Sequence, residues 1–540
     1  MRISRFGLII IIVLCADFIQ AQNFNYFVKF TDKNNSSFSV SSPEEFLSSR
    51  AISRRSRHQI AITEEDLPVN STYILGVEAV GNVSVRQSSK WFNGVLIQAT
   101  SGDAELVKLL PYVIDIEFIA EGNVGGRVAK QLEVEAKSVF ESDTLFQSEI
   151  LGISEMRADG YQGQDMLIAV MDGGFSGMTD VPPFSALYTG NRVLMSYNFI
   201  TRTNDVYQYT DHGTKVMSLL AAVQESPDYG GSVPEADFLL FVTEDINFEY
   251  RLEEYRWLVA AEKADSAGAN VISSSLGYNT FDDASMNYSK SELDGLTAVI
   301  TKAAQRAAEK GILVVTSGGN TGLSDPWEAV LFPGDIIDGL AVGSITSNST
   351  PSVFSPRGST ADGRIKPDVM AYGSGTYVIN KLGNIVTASG TSFAAPQVAG
   401  LATGIWQAHP NVRLKDLIEA FKSSSSNAGT PNTDIGYGIP SYQALYNYLA
   451  AEESAHWFSV YPNPVVESEY LKIRIFDPLE NSKVHIKMFD RLGKPLTDDN
   501  LNISWQNNMY FLELASLPRG IYILNLQSSK NFSRVKILKL

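Results

Sequence analysis

Residues 148–450 predict an α/β fold in which a parallel sheet carries helices on both faces. A small N-terminal α+β unit (22–122) and a C-terminal β-sandwich (457–540) flank it. Three observations carry this. MLIAVM (166–171), DFLLFV (237–242), ANVISSS (269–275), GILVVTS (311–317) and LAVGSI (340–345) are short runs apolar on both faces, as strands covered on both sides must be. Helix-length stretches such as SELDGLTAVITKAAQRAAEKG separate them, the spacing of crossover connections. The flanks differ in texture: one mixes strand-like and helical runs, the other alternates polar with apolar residues.

In chain order, residues 1–21 come first. Arg2 and Arg5 precede an apolar run from Phe6 to Ala16 and a small residue at Ala21, the layout of a secretory signal peptide and too short to span a bilayer. Cys15, the only cysteine of the 540 residues, lies in this leader behind Leu14, which is bulkier than a lipoprotein signal favours. Cleavage near Ala21 leaves no cysteine, excluding disulfides and thiol chemistry. Residues 22–122 hold the strand-like NYFVKF, GVLIQAT and VIDIEFI and a charged helical stretch from Pro43 to His58. The basic cluster SRRSRH (53–58) within it reads as a solvated helix face. Residues 123–147, Gly-rich and charged, read as an exposed linker. After the α/β core, LKIRIF, KVHIKMFD, IYILNLQ and RVKILKL alternate over short strands with turns between. The net charge is −17 with no long basic stripe, so nucleic acid is not an expected partner. No later segment is long and apolar enough for a membrane helix.

Four places in the core could carry chemistry. Ser392 sits in SGTSFAAPQVAG, where small residues equally suit a crowded helix contact. A serine hydroxyl becomes a nucleophile only beside a base that a third group orients. His212, in TDHGTKVMSLLAAV, opens a helix and could be that base or a packed structural histidine. His409, in QAHPN, fits a helix C-terminus. Asp172 ends MLIAVM ahead of Gly173 and Gly174, at the carboxyl end of a strand where parallel sheets deliver ligand-binding side chains; its alternative is an ordinary Asp-Gly turn. Asn320, in GILVVTSGGNTG, offers an amide donor at a second strand end, or a turn. That amide and the backbone N–H of Ser392 could together meet an oxyanion.

Taken together, IAVMDGGF, DHGTKVMSLLAA, ISSSLG, VVTSGGNTG, FSPRGSTADGRIKPDV and SGTSFAAPQVAG, in this order over about 300 residues, resemble the subtilisin-like serine peptidases. The resemblance implies a secreted serine endopeptidase with Ser392 as nucleophile, His212 as base, Asp172 as its orienting carboxylate and Asn320 as oxyanion donor. Ser275, Leu276 and Gly277 then form the edge that pairs with an extended peptide, Gly277 leaving room for the side chain before the cut. Two departures stand out. Gly173 replaces the usual hydroxyl residue after the aspartate, and Lys215, Val216, Met217 and Ser218 follow where the family commonly has other residues.

The flanks resemble known parts more loosely. Residues 22–122 look like the inhibitory propeptides of these enzymes, with cleavage expected between 121 and 147. VYPNP (460–464), LPRGIYILNL (517–526) and KILKL (536–540) look like the sorting domain of the bacterial type-nine secretion system, which implies export to the surface or medium. The partners implied are peptide or protein substrates, the chain's own propeptide and the secretion machinery. No cofactor is required. NYSKSELDG around Asp294 offers oxygen ligands for structural calcium, but no spacing there defines a metal site. A lipase is excluded by the absence of G-x-S-x-G and by the order of the residues. The remaining alternative is an inactive surface adhesin on the same scaffold.

Overall fold

The computed structural model describes residues 22–122, 146–225, 228–323, 325–455, 458–466, 470–475, 484–491, 493–496, 502–506, 509–528 and 532–540. The expected leader (1–21) and nearly all of the expected linker (123–145) lie outside them. Two compact units divide the chain, Met1–Leu445 and Tyr446–Leu540.

The principal elements of the first unit begin with β1 (Phe24–Phe30), α1 (Ser49–His58), α2 (Ser71–Glu78), β2 (Ser84–Ser89), β3 (Gly94–Ala99), α3 (Ser101–Lys108) and β4 (Val113–Glu121). There follow β5 (Leu167–Asp172), β6 (Val193–Asn198), α4 (His212–Ala221), β7 (Asp237–Val242), α5 (Arg251–Ala267), β8 (Val271–Ser274) and α6 (Val299–Glu309). The unit continues with β9 (Leu313–Ser317), β10 (Leu340–Ile345), β11 (Val369–Tyr372), β12 (Ser374–Ile379), β13 (Ile385–Ser389) and α7 (Thr391–Ala408).

Strands β5 to β11 form a seven-stranded sheet in the order β11-β10-β9-β8-β5-β7-β6, every pair parallel. Every residue of β5, β8, β9 and β10 is buried, the reason these runs are apolar throughout. The outer strands β6 and β11 were not evident in the sequence: VLMSYN is polar at two positions and only half buried, and VMAY is four residues long. Helix α7 passes through the core with nearly all its residues buried. Its small residues permit that approach, since a Cβ on Gly400 would lie 1.8 Å from Ser232 Oγ. Among the described residues no helix is long and apolar enough to cross a membrane.

The second unit holds β14 (Phe458–Tyr461), β15 (Tyr470–Ile475), β16 (His485–Phe489), β17 (Asn502–Gln506), β18 (Met509–Glu513), β19 (Gly520–Gln527) and β20 (Phe532–Lys539). They make two antiparallel sheets, β14-β15-β18-β17 and β16-β19-β20. Leu471, Ile473, Met488, Leu512, Leu524, Leu526 and Ile537 from both sheets share one core, as the alternating pattern requires of a sandwich.

At the other end of the chain, β2-β3-β1-β4 form an antiparallel sheet. One face meets α5: Phe27 stacks on Tyr255 with ring centroids 4.5 Å apart, and Trp91, Leu96 and Ile119 join Trp257, Ala261 and Ala264 in one buried cluster. The solvated face expected for residues 53–58 is not what α1 presents. Arg54 and Arg55 are 3% and 1% exposed and both bind Asp265 of α5, at 2.5 and 2.7 Å, where Lys90 also reaches it at 3.1 Å. Arg55 further binds Asp66, which Lys310 reaches at 3.1 Å. Basic residues at the end of a helix look solvated until their partner is known, and Asp265 lies some two hundred residues away. Burial alone would raise the Asp265 carboxyl, but Lys90, Arg54 and Arg55 bring it down to about 2. Beside it Glu262 accepts from Ser89 Oγ and from the backbone N–H groups of Lys90 and Trp91.

Removing one partner of such a buried cluster leaves the others charged and unpaired, a cost of about 3–5 kcal/mol. Asp265→Ala should therefore loosen the N-terminal sheet first, measured as faster hydrogen exchange in α1 and β1 than in β5. Unchanged exchange in α1 would contradict the cluster's holding role.

Candidate active site

The parallel register sets the site. β5 pairs with β7 so that Asp172 lies beside Val242, and Thr243 donates its backbone N–H to the Asp172 carbonyl at 3.2 Å. β8 lies on the other side of β5, so the strand ends at Asp172 and Ser274 face the same edge. Asp172 is fully buried, and its Oδ1 accepts the Gly173 N–H at 2.8 Å. His212 opens α4, its backbone N–H held by Thr210 Oγ1 at 3.1 Å. Its Nδ1 lies 2.9 Å from both Asp172 carboxylate oxygens. A carboxylate only accepts, so Nδ1 carries the proton and Nε2 is left with its lone pair. The ring centroid is 5.4 Å from that of Phe393, the residue after Ser392, which brings the imidazole to the start of α7.

Ser392 is the second residue of α7. Its hydroxyl contacts the Ser275 carbonyl at 3.3 Å, and the Ser275 hydroxyl donates to the Ser392 carbonyl at 2.9 Å. The expected edge at 275–277 is thereby tied to the helix start. Asn320 Oδ1 accepts the Thr391 N–H at 3.0 Å. A backbone N–H needs an acceptor, which orients the amide and leaves Nδ2 as a donor in the exposed part of the cleft. The five residues Asp172, His212, Ser275, Asn320 and Ser392 thus converge on one sheet edge. Leu276 is buried, behind that edge. Gly277 differs from expectation: the space above it is already occupied, for a Cβ there would lie 2.9 Å from Leu331 Cβ. His409 ends α7 as its C-cap residue, away from this edge.

Two residues escaped the sequence reading. Thr391 ties α7 to the strand end at Gly319, donating to its carbonyl at 3.1 Å and accepting its N–H at 3.0 Å. The adjacency of Thr391 to Ser392 was the only signal. Glu244 lies just beyond β7, its Oε2 3.1 Å from where a Cβ on Gly173 would sit. Its carboxyl occupies the room that the missing side chain of residue 173 leaves. Burial and the neighbouring charge of Asp172 push Glu244 up to about 7, against the pull of His212. In the loop around Asp294 the carboxylate accepts from the N–H groups of Leu296 and Thr297 and from the Thr297 hydroxyl. Among the described residues no group of three or more His, Cys, Asp or Glu side chains is placed to hold a metal ion.

Comparison with known proteins gives three family matches along the chain. Residues 163–439 match the subtilase family, residues 25–135 the Peptidase S8 propeptide domain of Bacteroidota, and residues 459–539 a secretion system C-terminal sorting domain. Subtilisin E of Bacillus subtilis (strain 168) is 29% identical over 348 residues, 63% of this chain and 78% of that protein. Subtilisin of Bacillus pumilus is 29% identical over 283 residues, 51% of this chain and 91% of that protein. Alkaline elastase YaB of Bacillus sp. (strain YaB) is 24% identical over 310 residues, 56% of this chain and 71% of that protein.

Glu244 binds its proton more tightly folded, at about 7, than at its ordinary 4.5. Its contribution to stability is therefore full below pH 4.5 and lost as pH rises towards 7. Glu244→Gln on a Ser392→Ala background should stabilise the fold at pH 8 by about 1–3 kcal/mol and leave it nearly unchanged at pH 4.5. Equal shifts of Tm at the two pH values would contradict the assignment.

Proposed function

The chain belongs to the subtilase family of serine endopeptidases, and on that premise we propose that Asp172, His212 and Ser392 cleave peptide bonds through an acyl-enzyme. The observation that carries this reading is the His212 ring, bound to both oxygens of a fully buried Asp172 and set against the start of the helix that bears Ser392. An extended peptide adds to the edge at Ser275, Leu276 and Gly277 through its backbone. Ser392 Oγ attacks the scissile carbonyl while His212 Nε2 takes its proton, and Asp172 stabilises the imidazolium that forms. Charge developing on the carbonyl oxygen meets Asn320 Nδ2 and the Ser392 N–H at the start of α7. His212 then protonates the leaving amine. The carbon–nitrogen bond breaks, and a water activated by the same imidazole releases the acid. The proposed steps run on these side chains alone and need no cofactor.

The matched propeptide domain supports reading the N-terminal sheet as an intramolecular inhibitor, and the matched sorting domain supports export to the medium or the cell surface. We place the activating cut between residues 121 and 147 and the removal of a signal peptide near Ala21.

A fluorophosphonate should label the processed wild type and not Ser392→Ala, whose kcat should fall by about 10⁶-fold, the size established for loss of the nucleophile in this family. Labelling of the variant would move the nucleophile to another residue, and no labelling of the processed wild type would favour a binding protein on the same scaffold. Asn320→Ala should lower kcat by about 10²–10³-fold with KM little changed. Because His212 must be neutral to accept a proton, kcat/KM should fall as the pH is lowered, and a flat profile from pH 5 to 8 would contradict its role as base.

A further inference from the structure

The segment around Leu331 is held between the two strand ends that frame the site. Leu331 donates its backbone N–H to the Gly318 carbonyl at 2.8 Å on one side. On the other, Phe332 and Tyr278 exchange backbone hydrogen bonds at 2.9 and 3.0 Å. Thr321 Oγ1 and Trp327 Nε1 bind the Ala329 and Val330 carbonyls at 2.6 and 3.0 Å, and Gly334 N–H closes on the Leu331 carbonyl at 2.6 Å. With the backbone fixed on both sides, the side chain of Leu331 lies across two glycines. A Cβ on Gly319 would be 2.5 Å from its Cγ and 2.9 Å from its Cδ1. A Cβ on Gly277 would be 2.9 Å from its Cβ and 3.2 Å from its Cδ1.

Those two glycines are the walls of a slot. Gly277 continues the edge whose Ser275 carbonyl touches the Ser392 hydroxyl, and Gly319 precedes Asn320. A peptide paired with residues 275–277, its scissile carbonyl at Ser392, directs the side chain on the acyl side of the cut between these walls. Glycine on both sides would make room for a large side chain, but Cβ, Cγ and Cδ1 of Leu331 already fill the space. Leu331 remains partly exposed, so it is the surface an incoming side chain meets.

We infer that Leu331 is the specificity-determining residue of this site, restricting the substrate side chain before the cut to the size of glycine, alanine or serine. The inference rests on Ser392 being the nucleophile. Leucine excludes larger groups sterically, and even one methylene in a hydrophobic pocket is worth about 10–200-fold in discrimination.

Two internally quenched peptides differing only in alanine or phenylalanine at that position test it, using enzyme matured from the full chain and titrated with a fluorophosphonate. Wild type should cut the alanine peptide at least about 10²-fold better in kcat/KM. Leu331→Gly should raise kcat/KM for the phenylalanine peptide by about 10²-fold and change that for the alanine peptide less than about 5-fold; Leu331→Ala, the milder cavity, should lie between. Wild type cutting both peptides equally, or a ratio unmoved in variants that titrate fully, would overturn the inference while leaving Ser392 as nucleophile. Failure of wild type to titrate would overturn it together with that assignment.

Discussion

Parallel pairing in fixed register is the constraint on which the site depends. β7 and β8 flank β5 and run the same way, so their carboxyl ends open on one edge. Asp172 can therefore be fully buried and still end its strand against a helix start, where His212 reaches both of its oxygens. A one-residue slip of β5 would turn Asp172 to the opposite face of the sheet and lose that contact. Helix α7 is held to the same edge from two sides, through Thr391 to Gly319 and through Ser392 to Ser275. The small residues around Ser392 serve packing as well: the close approach of α7 to Ser232 at Gly400 is part of what holds the hydroxyl in place.

Much of this was legible in the sequence because it is written locally. Strands buried on both faces are unbroken apolar runs, and residues at their ends stand out against that background, as Asp172 and Asn320 do. What was not legible depends on contacts between distant segments. Glu244 fills the space beside Gly173, yet no pattern joins positions 173 and 244. Leu331 belongs to a loop whose importance comes only from meeting Gly277 and Gly319. Arg54 and Arg55 have the spacing of an exposed helix face, and only the fold brings Asp265 beneath them. In each case the missing information was the identity of a neighbour, not the character of the residue.

The family matches and the geometry divide the work between them. The match to subtilases establishes the class of enzyme, and the flanking matches give it an N-terminal propeptide domain and a C-terminal sorting domain. The structure adds individual side chains. A carboxyl pushed up to about 7 stands next to the aspartate–histidine pair, and a leucine lies in a slot walled by glycines.

The ion cluster joining α1 to α5 has its charges sorted unequally by owner. The N-terminal segment brings Arg54, Arg55 and Lys90 against one carboxylate, Asp66, while the body of the molecule brings Asp265 and Glu262 against one ammonium, Lys310. While the segment is covalently attached, this sorting is silent. With the proposed cut between residues 121 and 147, each fragment would display an unbalanced, oppositely signed face, and re-encounter would be electrostatically steered. Recapture of the freed fragment then slows as ionic strength rises, because screening shortens the range over which the two faces attract.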